Sequence, residues 1–201
     1  MIILSNNIRG LGLASKQRAP KQTIQKLSLD VLLLQDTMCS TSLSVQTLCM
    51  MLPRWNFISL DSIGSSSGLA IHWSHTLYLS FFVCFLIYIM TSLIATPISI
   101  TIDILNICAP SHDRVSFWED LVASPLVGLP NLIIGGDLNL TLEPSESWGS
   151  FALSNPLSKF FQNLFSLHML VDIEPHAISP TWSNKRSGDL HISKRLDHFL
   201  I

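Results

Sequence analysis

Short apolar runs, each closed by polar or glycine-rich residues, recur along the chain and read as buried strands. Ile2 to Leu4 leads into Asn6, Asn7, Arg9 and a turn built on Gly10 and Gly12. Val31 to Leu34 leads into Gln35, Asp36 and Thr37, and Leu132 to Ile134 leads through Gly135 and Gly136 to Asp137 and Asn139. Ser193 to Ile201, SKRLDHFLI, reads as a further strand with Asp197 at its centre, and Ser99 to Asn106 alternates as a half-buried strand does. Helical spacing separates these runs. A helix is predicted over Gln17 to Ser28, with Pro20 in its first turn and Ile24 and Leu27 inward. A second, capped by Ser111 or Asp113, runs through Ser124 with Val115, Trp118, Leu121 and Val122 on one face. A third follows Asn155 and Pro156 and buries Leu157, Phe160, Phe161, Leu164 and His168. His168 on that stripe reads as a core or boundary histidine. Thr141 to Phe151, with Glu143, Glu146 and Trp148, is predicted as a solvated loop. Strands and helices alternate with no repeat and no linker, so residues 1–201 read as a single domain.

Composition adds limits. A chain of 201 residues buries about 70% of its unfolded surface. Charged residues make up 13%, about half the usual share. The formal net charge of −2 provides no basic field to draw nucleic acid from a distance. Any DNA contact rests on local residues: Arg9, Lys185, Arg186, Lys194 and Arg195. The alternative for these is a solvated loop and strand edge. Cys39, Cys49, Cys84 and Cys108 lack metal-ligand spacing and read as reduced core thiols of an intracellular protein, nuclear or cytoplasmic. No cleavable signal peptide is visible. His72 and His75 flank Trp73 without a matching metal partner and receive no role.

Leu77 to Ala95, LYLSFFVCFLIYIMTSLIA, supports two readings. It lies in a stretch free of Asp, Glu, Lys and Arg from Ser62 to Ile102, and its length suits a membrane span. It lacks the flanking Lys/Arg cluster that orients a span, and its Phe, Ile, Val and Tyr suit strands. A pair of core strands is the expectation, with a membrane-associated non-enzymatic protein spanning near 77–95 as the alternative.

Asp137 and Asn139 carry the chemistry most directly. Two residues apart on an extended chain, they point the same way. A carboxylate and an amide so placed suit a hard cation or phosphate oxygens, whereas Gly, Asp and Asn also suit a plain turn.

The motifs ILSNNIRGLG, LQDT, SGLAIHW, CAPSHDRVSFWEDL, GGDLN, LVD, TWSN and SKRLDHFL occur in that order from Ile2 to Ile201. Together they resemble the endonuclease/exonuclease/phosphatase superfamily, which includes AP endonucleases and DNase I-like enzymes. The nearest likeness is to the endonuclease domain of plant LINE-type non-LTR retrotransposons. The resemblance implies an α/β (α+β) fold: a four-layered, DNase I-like sandwich of two packed mixed sheets flanked by helices. It implies hydrolysis of the DNA phosphodiester backbone with Mg²⁺, or Mn²⁺ in its place, and no organic cofactor. Carried over by position, Asn7 and Asp36 hold the metal, Asp137, Asn139 and Asp197 are catalytic, and Arg9 and Asn139 contact substrate.

The sequence departs from the family pattern at Asn6 (Trp in the family), Asp36 (Glu) and Cys108 (Tyr). The shorter carboxylate of Asp36 is drawn back by about 1.5 Å, one C–C bond. A cysteine thiol is a much poorer hydrogen-bond donor than a phenol. The family's Ser-Asp-His segment does not follow SKRLDHFL, so the expectation is a domain missing its last strands, with weak or no activity. His198 beside Asp197 is the substitute the sequence offers, but adjacent strand residues face opposite sides of a sheet.

Overall fold

The apolar runs form strands because their side chains are buried on both faces. In β2 (Val31–Gln35) every residue is buried, and in β4 (Leu69–Trp73) likewise. A computed structural model describes residues 1–10, 26–38, 46–47, 49–50, 52–62, 68–96, 98–150 and 155–201. The helix predicted over Gln17 to Ser28 lies mostly outside them. The chain divides into two compact units, Met1–Cys108 with Pro130–Gly136, and Ala109–Leu129 with Asp137–Ile201.

The first unit holds two sheets. One has the order β1-β2-β4-β3, with β1 at Ile3–Asn7 and β3 at Asn56–Leu60. Strands β1 and β2 are parallel, with Asn7 opposite Gln35, while β4 runs antiparallel to β2 and β3. The other sheet runs β8-β7-β6-β5 within this unit: β5 is Leu77–Phe85, β6 Tyr88–Ala95, β7 Ile100–Cys108 and β8 Leu132–Asp137. This is the expected α+β class with two mixed sheets and few helices.

The alternation of β2 assigns its faces. Leu32 and Leu34 join Ile8, Leu29, Leu52 and Ala70 in one apolar cluster. Val31, Leu33 and Gln35 therefore face the second sheet. There the buried Asn106 of β7 donates through Nδ2 to the carbonyls of Leu34 (3.1 Å) and Ala70 (3.0 Å), and its Oδ1 accepts from Gln35 Nε2 at 2.6 Å. Gln35 Nε2 also reaches Ser5 Oγ on β1 at 3.1 Å. The Asn106 amide thus ties two strands of one sheet to the other, β1 joining through Gln35, and satisfies both of its donors away from water.

Leu77 to Ala95 is a hairpin of β5 and β6 and not the single helix that the alternative reading of a span at 77–95 assumes. Among the described residues no helix is long and apolar enough to cross a membrane. The expectation that both strands lie in the core fails for β5, most of which is exposed at the edge of the sheet.

The second unit is built around α1 (Arg114–Ala123) and α2 (Ser158–Leu167). Asp113 occupies the predicted N-cap of α1 but in a left-handed conformation (φ 51°), without a side-chain cap bond. Trp118, Leu121 and Val122 are buried as expected, whereas Val115 is only half-buried. In α2 the buried pair is Phe161 and Phe165, and Phe160 of the predicted stripe is half-buried. Trp118 packs edge-on against Phe165, ring centres 5.1 Å apart, and against Phe161 at 6.4 Å. That geometry suits aromatic quadrupoles. Short strands β9 (Ser147–Trp148), β10 (Trp182–Ser183) and β11 (Ser193–Lys194) form a small sheet of order β10-β11-β9, and β12 is Asp197–Leu200. The single strand predicted over Ser193 to Ile201 is therefore split, and the break coincides with Arg195, whose side chain is buried. Cys49, expected in the core, is exposed.

His72 is fully buried on β4, stacked on Phe57 with ring centres 5.3 Å apart. Neither ring nitrogen has a hydrogen-bond partner among the described residues. Burial lowers its pKa from 6.5 to about 3. The fold thus favours the neutral ring, so the stabilisation is whole above pH 6.5 and is lost as pH falls toward 3. Replacing His72 by Phe should flatten the acid limb of the stability profile by about 1.4 kcal/mol per pH unit below 6.5. Urea unfolding from pH 7 to 4 checks this, and parallel profiles for the two proteins would refute it.

Candidate functional site

Strand β8 ends where glycine is obligatory. Gly136 has φ 136°, and a Cβ there would lie 2.0 Å from the carbonyl oxygen of Ile107. Only a residue without a side chain lets β8 approach β7 this closely. The chain then turns. Asn139 is left-handed (φ 53°), so Asp137 and Asn139 are not displayed side by side on an extended strand as the sequence spacing suggests. They are joined by a turn in which the Asn139 N–H donates to Asp137 Oδ1 at 3.1 Å. Asp137 itself is buried. The Asn139 side chain is held by its own Nδ2, which donates to the Ala109 carbonyl at 2.9 Å, and the Asn139 main-chain carbonyl accepts from Arg114 Nη1 at 2.9 Å. Sequence spacing found the pair; the arginine on α1 that secures it was missed, because nothing in the local pattern links positions 114 and 139.

Beside this turn is a cavity of about 180 Å³ lined by Arg114, Asn139, Leu140, Thr141, Asn155, Pro156, Lys194 and Leu196. Two cations and two side-chain amides in one small concavity suit an oxyanion. Lys194 was expected as a local DNA contact. Asn155, expected as a helix cap, accepts from the Leu157 N–H at 3.1 Å and donates to the Thr141 carbonyl at 3.3 Å.

Asp197 opens β12 in the same unit. Its backbone N–H and that of Leu196 both donate to Thr181 Oγ1, at 3.2 and 3.0 Å, and Leu196 accepts from the Leu138 N–H at 2.9 Å. The Asp137 turn and the start of β12 are thus laced together through Leu138 and Leu196. Asn184 of the TWSN motif orders the adjoining loop, accepting from the backbone of Arg186 and Ile192. Lys185 and Arg186 are exposed.

In the first unit, Asn7 and Asp36 sit at the adjacent ends of parallel strands β1 and β2. Ile8 N–H donates to the Gln35 carbonyl at 3.1 Å and Gly10 N–H to the Asp36 carbonyl at 2.7 Å. Asp36 is half-buried and left-handed (φ 54°), a conformation that Asp tolerates better than most residues. The Cys108 thiol lies 3.8 Å from Asp36 Oδ1. An amide oxygen and a carboxylate are hard donors, of the type that Mg²⁺ or Mn²⁺ takes rather than a soft metal. Arg9 follows directly, with φ 46°.

Glu146, Asp172 and His198 form a second cluster of ligating side chains. It does not fit a metal, because Arg195 already fills it. Arg195 Nη1 lies 2.5 Å from Glu146 Oε1 and 2.8 Å from Asp172 Oδ2, and Nη2 lies 3.1 Å from Asp172 Oδ1. Glu146 Oε2 takes the N–H groups of Leu142 and Glu143 at 2.6 and 3.1 Å. His198 lies with Nδ1 3.1 Å from Asp172 Oδ1 and Nε2 3.1 Å from the Leu140 carbonyl. Two expectations are corrected here. Glu146 is buried rather than a solvated loop residue, and Arg195 is a buried tie rather than a solvated edge or a DNA-contacting rim residue. His198, the substitute that strand alternation argues against, is a buried side chain within this network. Burial pushes the Asp172 carboxyl up, but hydrogen bonds from His198 and Arg195, with their charges, outweigh it and leave the pKa lowered. Its pairs therefore stabilise the fold above the normal carboxyl range and are lost as acid titrates it through the lowered value.

No family model matches the sequence, and no curated protein matches it. Solved structures do. The endonuclease domain of TRAS1, a telomere-specific non-LTR retrotransposon, superimposes with TM-score 0.72 at 15% identity, covering 98% of this chain and 83% of that one. An AP endonuclease from Archaeoglobus fulgidus gives 0.73 at 15% identity, covering 100% and 86%. D. rerio TDP2, solved with a single-strand DNA product, gives 0.66 at 14% identity, covering 98% and 82%. The chain has the DNase I-like fold. At such identities the likeness carries the fold, and the chemistry rests on the residues above.

Arg195 offers a direct test of the buried network. Arg195→Met leaves two carboxylates without their cation and should cost about 3–5 kcal/mol, as loss of one partner of a buried ion pair does. Urea unfolding at pH 7 measures it, and a loss below about 1 kcal/mol, the range of an exposed pair, would contradict the buried assignment.

Proposed function

We propose that this chain is a divalent-metal-dependent phosphodiesterase of the endonuclease/exonuclease/phosphatase type, acting on DNA as retrotransposon endonucleases do, with attenuated activity. The observation that carries the proposal is the Asp137–Asn139 turn beside a cavity carrying Arg114 and Lys194. It pairs a buried carboxylate with an anion-binding recess. In this reading Asn7 and Asp36 hold Mg²⁺ or Mn²⁺, which supplies Lewis-acid neutralisation of phosphate charge. Asp137 takes the proton of the attacking water, a role that needs a positioned base. Asn139, whose backbone is anchored by Arg114, orients the phosphate, and Asp197 supports the site electrostatically. Arg9 contacts the DNA backbone. Arg114 and Lys194 bind phosphate oxygens in the recess.

Attenuation follows from two side chains. Asp36 reaches about 1.5 Å less far than a glutamate. Cys108, beside Asp36, provides a weak S–H donor in place of a phenol. His198 does not serve as an acid or base, because Asp172 and the Leu140 carbonyl occupy its ring nitrogens away from solvent.

A supercoiled-plasmid nicking assay with Mg²⁺ tests the proposal. The unaltered chain should nick slowly, chelation should stop it, and Asp137→Ala should lower the rate by about 10²-fold or more. Asp36→Glu should raise the rate. Equal nicking by the chain and Asp137→Ala, or none by either, would overturn the proposal.

A further inference from the structure

Strand β5 (Leu77–Phe85) ends its sheet, hydrogen-bonded on one side to β6. Among the described residues no strand pairs with its other side, which presents a row of backbone N–H and C=O groups, the template for adding a strand. Proteins ordinarily blunt such an edge with Lys, Pro or a bulge. Between Leu77 and Phe85 there is no charged residue and no proline. The register shifts once, between Leu79 and Phe81, leaving Phe81 to Phe85 in unbroken register with β6. Tyr78, Phe81, Phe82, Phe85 and Leu86 are each 50–69% exposed.

We propose that β5 is a homodimer interface, pairing antiparallel with β5 of a second copy to give one continuous sheet across a two-fold axis. Two observations favour a second copy over other occupants. An antiparallel strand edge is self-complementary, and two-fold pairing closes the assembly at two. The uncharged stretch from Ser62 to Ile102 brings no like charges together when two copies meet. A lipid surface could take up the side chains but would leave the edge amides unpaired at a cost of several kcal/mol each.

Sedimentation velocity tests the interface. The unaltered chain should sediment at twice the chain mass. Phe82→Lys and Phe82→Glu, at an exposed position, should each sediment as folded monomers by circular dichroism, and a one-to-one mixture of the two should recover the dimer. A monomeric unaltered chain would overturn the proposal, as would a Phe82→Lys protein that remains dimeric. Flotation of the unaltered chain with neutral phosphatidylcholine vesicles, in place of self-association, would assign the strand to lipid and also overturn it. None of these readouts depends on nuclease activity.

Discussion

The buried amide of Asn106 is the constraint on which the first unit depends. Two apolar sheets packed face to face have little to prevent them from sliding, because burial is non-directional. Asn106 removes that freedom. Its Nδ2 holds the carbonyls of Leu34 and Ala70, and its Oδ1 holds Gln35, which also reaches Ser5. A slip in register would leave several buried polar groups without partners, at about 1–3 kcal/mol each. The pin has a chemical consequence as well. Gln35 is the residue before Asp36 and lies opposite Asn7, so the interaction that aligns the sheets also sets the end of β2 from which the carboxylate projects.

The second unit solves a similar problem with charge. Arg195 gathers Glu146 and Asp172, and His198 joins Asp172 to the Leu140 carbonyl. These residues belong to three separate segments, so the network ties the loop after Asp137 to β12. Residues that look catalytic or nucleic-acid-binding by type are here structural. Arg195 costs desolvation, which its bidentate geometry and the backbone donors around Glu146 offset. The half-buried Lys194 of the recess lies one residue away, at the end of β11, and the strand breaks at Arg195.

The two ends of the second sheet of the first unit behave differently. At β8 the chain is closely packed against β7, to the point that Gly136 has no room for a Cβ. At β5 it is exposed, apolar and without charge. The low charge content of the chain extends to this edge, where only the register shift between Leu79 and Phe81 interrupts the strand.

The sequence by itself determined the strands, because runs such as VLLLQ and LIIGG are too short and too apolar for surface helices, and it determined the fold class through the order of its motifs. It also marked Asp137 and Asn139 as a pair, since both follow a strand within two residues. Only the tertiary structure decided what surrounds them. Residue spacing carries no record of contacts between distant segments, so Arg114 at the Asn139 carbonyl, Asn106 between the sheets and Arg195 between Glu146 and Asp172 were invisible in it. The hairpin at Leu77 to Ala95 shows the same limit. Uncharged apolar residues suit a core strand, a membrane span or an exposed edge equally well, and only the position of β5 in the sheet distinguishes them.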